Sequence, residues 1–133
     1  MPARLNLTVI RSRDIEASSE FYRLIGLEFE KHRHGNSPEH YASSCGDSVF
    51  EIYPATAKFP PTIGTRIGFR VDRCDDSVAM LESAGHSIAS MPSDSPWGRR
   101  AVAIDPDGHK VELISDNQQQ AEQVGDGDAE EAV

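Results

Sequence analysis

One plan written twice constrains this chain more than any other feature, because a repeated unit dictates a repeated architecture. Leu5 to Ile10 is short, apolar and β-branched, the signature of a strand. Asp14 then offers an N-cap carboxylate, and Ile15, Phe21, Tyr22 and Ile25 follow at helical spacing up to Gly26. Three strand-like runs come next, Leu27 to Arg33, Glu39 to Ser44 and Ser48 to Tyr53. They are parted by His34-Gly35-Asn36 and Cys45-Gly46-Asp47, both turn signals. The second half keeps the order. Arg66 to Val71 reads as a strand, and Asp75-Asp76 open a helix with Val78, Leu81 and Ala84 on one face, ended by Gly85. His86 to Ser90, Arg99 to Ile104 and Lys110 to Ser115 supply three more strands. The helix-ending glycines lie 59 residues apart, and the glutamates of the two final strands, Glu51 and Glu112, lie 61 apart. Each half is a β-α-β-β-β unit. Pro54, Pro60 and Pro61 form a stiff connector that interrupts sheet pairing.

A chain of 133 residues has room for one domain with a core of its own. No apolar run approaches the ~20 residues needed to span a bilayer, and no basic-apolar leader follows Met1. Cys45 and Cys74 stand alone, outside any CxxC pair, so both read as reduced thiols of a cytoplasmic protein. Net charge is −9, and five of the acids lie in residues 117–133, a Gln-rich stretch with no basic residue; without them the remainder carries −4. That stretch reads as an acidic disordered tail. Such a balance argues against nucleic acid, whose phosphates demand Lys and Arg.

The sharpest local signal is Asp105-Pro106-Asp107-Gly108, with proline and glycine where a type I turn between antiparallel strands wants them. Turn hydrogen bonding, rather than metal ligation, is the reading of its two aspartates.

Three segments, taken in order, resemble one family. Arg13-Asp14-Ile15-Glu16-Ala17-Ser18, continuing to Phe21-Tyr22 and Ile25-Gly26-Leu27, is similar to the first helix of glyoxalase-like domains. Asp105 to Leu113 resembles the closing hairpin of the vicinal oxygen chelate superfamily, the glyoxalase, bleomycin-resistance and extradiol dioxygenase group. Ser95-Pro96-Trp97-Gly98-Arg99-Arg100 is similar to the preceding loop of bleomycin-resistance members. The resemblance implies an α+β fold in which two tandem β-α-β-β-β modules, about residues 4–54 and 64–116, form an open eight-stranded half-barrel around a pocket. It also implies a homodimer.

Metal-using members place a ligand on the first and last strand of each module, usually His then Glu, to polarise adjacent substrate oxygens. Carried onto this chain, those positions are Leu7, Glu51, Arg66 and Glu112. Leucine offers no lone pair, and arginine stays protonated. A cation beside a fixed guanidinium would also meet repulsion of several kcal/mol, about 4 at ~4 Å with an effective dielectric near 20. No metal and no other cofactor is therefore expected there. Arg66 is expected instead to pair with Glu51, Glu112 or both and to replace the ion as the positive centre. That grouping is either a plain interior ion pair or a place where a polar ligand competes for Arg66.

Trp97, between proline and glycine, either stacks on a ligand at the pocket mouth or covers a sheet edge or dimer contact. Tyr41 and Tyr53 share that ambiguity, whereas Phe21 and Tyr22 read as core. His32 and His34 can face one side of a strand with His40 nearby, and three imidazoles suit Zn²⁺ or Cu²⁺. Their basic, turn-rich setting makes solvent-facing histidines the expectation, and His86 and His109 read as structural or exposed. The function expected is metal-independent binding of a polar or aromatic small molecule, with Arg66, Glu51, Glu112, Trp97 and Tyr53 lining the site. The alternative is a lyase- or isomerase-like enzyme using Glu51 or Glu112 as general base, and a metal-dependent glyoxalase or dioxygenase ranks behind both.

Overall fold

A computed structural model describes residues 2–118. Of the tail expected over 117–133, Asn117 bonds to Ser95, and residue 119 onward lies outside the described residues. The duplicated plan holds. Module one runs β1 (Leu7–Ser12), α1 (Ile15–Leu24), β2 (Glu30–His32), β3 (His40–Cys45) and β4 (Ser48–Pro54). Module two runs β5 (Arg66–Arg70), α2 (Cys74–Ser83), β6 (Ile88–Ser95), β7 (Gly98–Ile104) and β8 (Lys110–Ser115). Each module makes one mixed four-stranded sheet, in the orders β1-β4-β3-β2 and β5-β8-β7-β6. The first and last strands of each module pair in parallel and the others antiparallel. No helix among the described residues is long and apolar enough to cross a membrane.

Local chemistry sets the boundaries. Asp14 caps α1 by accepting from the Glu16 and Ala17 amides, at 3.0 and 3.2 Å. Gly26, at φ +108°, turns the chain out of α1, and the Leu27 amide donates back to the Tyr22 carbonyl at 3.1 Å. Leu27 is thereby committed to the helix end, so the strand expected from Leu27 shrinks to Glu30–His32. His86 repeats this by donating to the Leu81 carbonyl at 3.0 Å, which delays β6 to Ile88. That strand then runs on to Ser95, beyond the expected Ser90. As an edge strand it tolerates Pro92, and its register shifts between Ile88 and Ser93. Helix α2 starts at Cys74 with Arg73 as its N-cap; Asp75 falls in the first turn because its carboxylate is gripped by Arg99, at 2.5 and 3.0 Å.

One core joins the modules. Phe21 and Tyr22 of α1 are fully buried, as expected, with Phe50 and Ile52 of β4, Val78 and Leu81 of α2, Ala101 and Ala103 of β7, and Val111 and Leu113 of β8. Phe69 of β5 meets Phe50 edge-on at 5.4 Å between centroids and Tyr22 at 5.8 Å. Burying a side chain such as Phe21 contributes on the order of 2–3 kcal/mol. Because residues alternate along a strand, the neighbours Val49, Glu51, Tyr53, Lys110 and Glu112 point to the opposite, outward face of each sheet. The outward faces hold the site candidates.

Candidate functional site

Asp105, Asp107 and His109 make the closing turn of module two a knot of buried polar side chains. The Gly108 amide donates to the Asp105 carbonyl at 3.0 Å, the type I turn expected between antiparallel strands. Asp105 Oδ1 accepts from the amides of Asp107, Gly108 and His109, and Oδ2 accepts from the Tyr22 hydroxyl at 2.7 Å and His109 Nδ1 at 2.8 Å. The Thr62 hydroxyl accepts from the Arg11 amide, so its own hydrogen is free for His109 Nε2, 2.6 Å away. This assigns the His109 proton to Nδ1, facing Asp105. Burial pushes the Asp105 carboxyl up, but its bonds to His109 and Tyr22 outweigh that and hold it below the ordinary carboxylate value. Burial, with Asp105 beside it, pushes the Tyr22 phenol well up. Asp107 accepts from the Arg13 amide at 2.8 Å. Asp105, Asp107 and His109 lie close enough to invite a metal, yet both Asp105 oxygens and both His109 nitrogens are already bonded. Their role is structural, as the sequence suggested.

The outward face of the first sheet is acidic. Register places Leu7, Val9 and Arg11 of β1 beside Val49, Glu51 and Tyr53 of β4, with His40, Ala42 and Ser44 of β3 and Glu30 and His32 of β2 beyond. A concavity of about 570 Å³ opens there, walled by Glu28, Glu30, His32, Ala42, Val49 and Glu51 among others. Tyr53 stacks flat on His40, with centroids 4.1 Å apart and planes 7° from parallel. The Arg11 guanidinium lies 4.9 Å from the Tyr53 ring and 4.6 Å from that of Phe59. Burial raises the Tyr53 phenol, Glu51 adds to the rise, and Arg11 opposes it.

The outward face of the second sheet is basic. Arg66 of β5, Arg100 of β7 and Lys110 of β8 line a concavity of about 420 Å³ with Ser90, Met91 and Ser93 of β6. The Arg100 guanidinium grips Glu112 Oε1, whereas Arg66 Nη2 stands 3.8 Å from the same oxygen with its side chain half exposed. Gly68 lies across from Glu112, and a Cβ there would come within 3.4 Å of its carboxylate.

These placements revise several expectations. Arg66 does not bridge the two glutamates: Glu51 and Glu112 lie on different sheets, each turned away from the common core, and Arg100 is the principal partner of Glu112. Sequence reading missed Arg100 because only the β7–β8 register, which sets Val102 opposite Glu112, brings it within reach. His40, expected at the surface, is fully buried beside Glu51, with Nε2 and Oε2 3.5 Å apart. His86 packs edge-on against Phe21. Trp97, 73% exposed, stands at the β6–β7 turn clear of both concavities. Tyr41 is buried, its hydroxyl donating to Glu16 at 2.6 Å. The residues at the superfamily's metal positions do not fit an ion. Leu7 has no donor atom, guanidinium groups surround Glu112, and the two glutamates share no cavity within one chain.

Comparison with known proteins agrees with this fold. A profile of the Glyoxalase/Bleomycin resistance protein/Dioxygenase superfamily matches residues 4–113. The fold superimposes on TnmS3, an antibiotic binding protein from Streptomyces sp. CB03234, with a TM-score of 0.71 at 23% identity, over 87% of this chain and 98% of that one. A glyoxalase/bleomycin resistance protein from the same organism gives 0.68 at 24% identity, over 84% and 100%. A glyoxalase/bleomycin resistance protein/dioxygenase family enzyme from Burkholderia phytofirmans PsJN gives 0.65 at 22%, over 85% and 98%. No curated protein matches the chain in sequence. With most of its length matched by the profile and its duplicated modules folded as that family folds, the chain belongs to the glyoxalase/bleomycin resistance protein/dioxygenase superfamily.

Proposed function

We propose that the protein is a small-molecule binding protein that captures an anionic aromatic ligand between the first sheet of one copy and the second sheet of another. The observation that carries this reading is the opposite charge of the two outward faces. Glu28, Glu30 and Glu51 line one, and Arg66, Arg100 and Lys110 line the other. Each sheet is half of a cup, and within one chain the two halves look away from each other. A homodimer that apposes unlike faces matches acid to base and buries Leu7 and Val9, which are exposed on β1. Leu7 and Arg66 offer no ligand atom, so capture proceeds without a metal at the superfamily's positions. The description of TnmS3 as an antibiotic binding protein supports the same class of activity. Two free thiols, Cys45 and Cys74, suit a cytoplasmic setting.

In this arrangement Arg100 and Arg66 receive the ligand's anionic group, with Glu112 holding the Arg100 fork in place until it arrives. Val49 and Val102 supply apolar surface, and Tyr53 borders the first half of the cup from its place between His40 and Arg11. As the single tryptophan of the chain, Trp97 is a built-in reporter. Sedimentation analysis is expected to show a dimer. A panel of aromatic carboxylates and polycyclic antibiotics should contain compounds that shift both Trp97 emission and melting temperature, since ligand at 100 times its Kd stabilises by ~2.7 kcal/mol. Arg100→Ala should remove both responses while leaving the dimer intact. A monomer at working concentration, or responses indifferent to Arg100, would overturn the reading.

A further inference from the structure

We infer that His32, His34 and His40 form a site for a divalent transition ion, Zn²⁺ by the chemistry of its donors, with Glu51 beside it. One nitrogen of each ring lies within 4.8 Å of the others, and the centroids are 5.4 to 6.0 Å apart. These residues belong to β2, the β2–β3 turn and the start of β3, away from the positions that correspond to Leu7, Arg66 and Glu112. His32 and Glu51 also wall the first sheet's concavity, but ion binding is measured with no organic ligand present, so its failure and that of small-ligand capture are distinguishable.

His40 carries the argument. Its Nδ1 lies 3.2 Å from the Pro38 carbonyl, which can only accept, so the proton sits on Nδ1. Its Nε2 then presents a lone pair, is completely buried and has no hydrogen-bond partner. The closest charged group is Glu51 Oε2, 3.5 Å away, and an ionised carboxylate is also an acceptor. Two lone-pair donors face each other across a gap that calls for a cation. The flat stack on Tyr53 holds the ring at that orientation, while the Pro38 carbonyl acts as the outer partner that metal-binding imidazoles usually have.

The other two rings are arranged to complete the set. His32 pairs across from His40 in the β2–β3 ladder, and Glu30 Oε2 braces its Nε2 at 3.1 Å. His34 sits in a turn pinned by its own amide on the Ser37 hydroxyl at 3.0 Å, with Gly35 at φ +59° reversing the chain. Donors around tetrahedral Zn²⁺ are separated by roughly 3.3 Å, given Zn–N bonds of about 2.0 Å. His40 is the fixed point, and the half-buried His32 and exposed His34 have the freedom to close the remaining distance. Glu51 fills the fourth position. Nitrogen donors select Zn²⁺, Cu²⁺ or Ni²⁺ over Mg²⁺ and Ca²⁺, which require oxygen. The rival occupant of the gap is a proton, which would make His40 an imidazolium paired with Glu51.

Calorimetric titration of the chelator-treated full chain with Zn²⁺, and with Mg²⁺ for contrast, separates the two. One Zn²⁺ per chain, no Mg²⁺, and the visible spectrum of four-coordinate Co²⁺ on substitution are expected. His40→Asn should weaken Zn²⁺ binding beyond the ~100-fold that loss of an outer-shell partner costs, and Glu51→Gln by at least ~10-fold. Because His40 is buried, the exposed His34→Ala provides the parallel test if His40→Asn fails to fold; it should weaken binding by more than ~10-fold. Absence of stoichiometric Zn²⁺, or binding unchanged by His40→Asn or by His34→Ala, would overturn the site and leave the proton as occupant.

Discussion

The two modules share a plan yet differ most at the hairpin joining their third and fourth strands. In module one that turn is Gly46-Asp47, where the ion-pair partner of Asp47 among the described residues is Arg4, at 3.5 Å, with both side chains largely exposed. In module two the equivalent turn is buried and reaches into module one: Asp105 accepts from Tyr22 of α1, Asp107 from the Arg13 amide, and His109 meets Thr62 of the connector. A duplicated unit has two copies of every turn but needs only one clasp between copies. The outward faces diverge in the same way, one gathering histidines and glutamates, the other guanidinium groups around Glu112.

The contrast can be broken hardest at Asp105. Asp105→Ala leaves the buried Asp107 and His109 amides, the Tyr22 hydroxyl and the His109 ring without an acceptor, and should cost about 3–5 kcal/mol in chemical denaturation. A loss under 1 kcal/mol would mean that the turn is not a clasp. Next come the glycines of the two modules' turns. Gly98, at φ +136°, has no room for a Cβ, which would sit 2.5 Å from the Ser115 carbonyl oxygen, whereas Gly46, at φ +60°, has open space. Gly98→Ala should cost at least ~2–3 kcal/mol and Gly46→Ala ~1–2, the strain of the left-handed backbone alone. Equal losses would show that the β6–β7 turn relaxes freely.

A smaller effect is expected in the acid limb of the stability curve. The Asp105 carboxyl is held below its ordinary value of 3.8, so its contribution is complete above that pH and is lost as pH falls through the lower folded value. Asp105→Asn should therefore flatten the stability–pH profile below about pH 4 relative to wild type; parallel profiles would remove Asp105 from the acid transition. Asp47→Ala anchors the other end of the scale. Its fully solvated pair with Arg4 should yield no more than ~0.5 kcal/mol by the same denaturation measurement, and a larger loss would erase the distinction between the hairpins.

Much of the frame was legible because its signals are local. The Asp14 cap, the glycines ending both helices and the Asp105–Gly108 turn each act within a few residues, and the repeat confirmed them against one another. The misplacements came from contacts between segments distant in sequence. His40 lies in a polar, turn-rich stretch that looks solvated, yet β3–β4 pairing brings Tyr53 under its ring and Glu51 to its Nε2. Arg66 was the natural partner for Glu112 by superfamily position, but strand register delivers Arg100 to the carboxylate first.

By itself the sequence determined the α+β class, the two β-α-β-β-β modules and their order, because propensity, capping and side-chain chemistry are properties of the residues themselves. Tertiary structure decided which way each face looks. Packing Phe50, Phe69 and Tyr22 into one core turns Glu51 and Glu112 outward on different sheets, so that the two carboxylates line separate faces of opposite charge. The physical reason is that alternation along a strand assigns residues to faces, while only the packing of apolar faces against each other determines which face meets water.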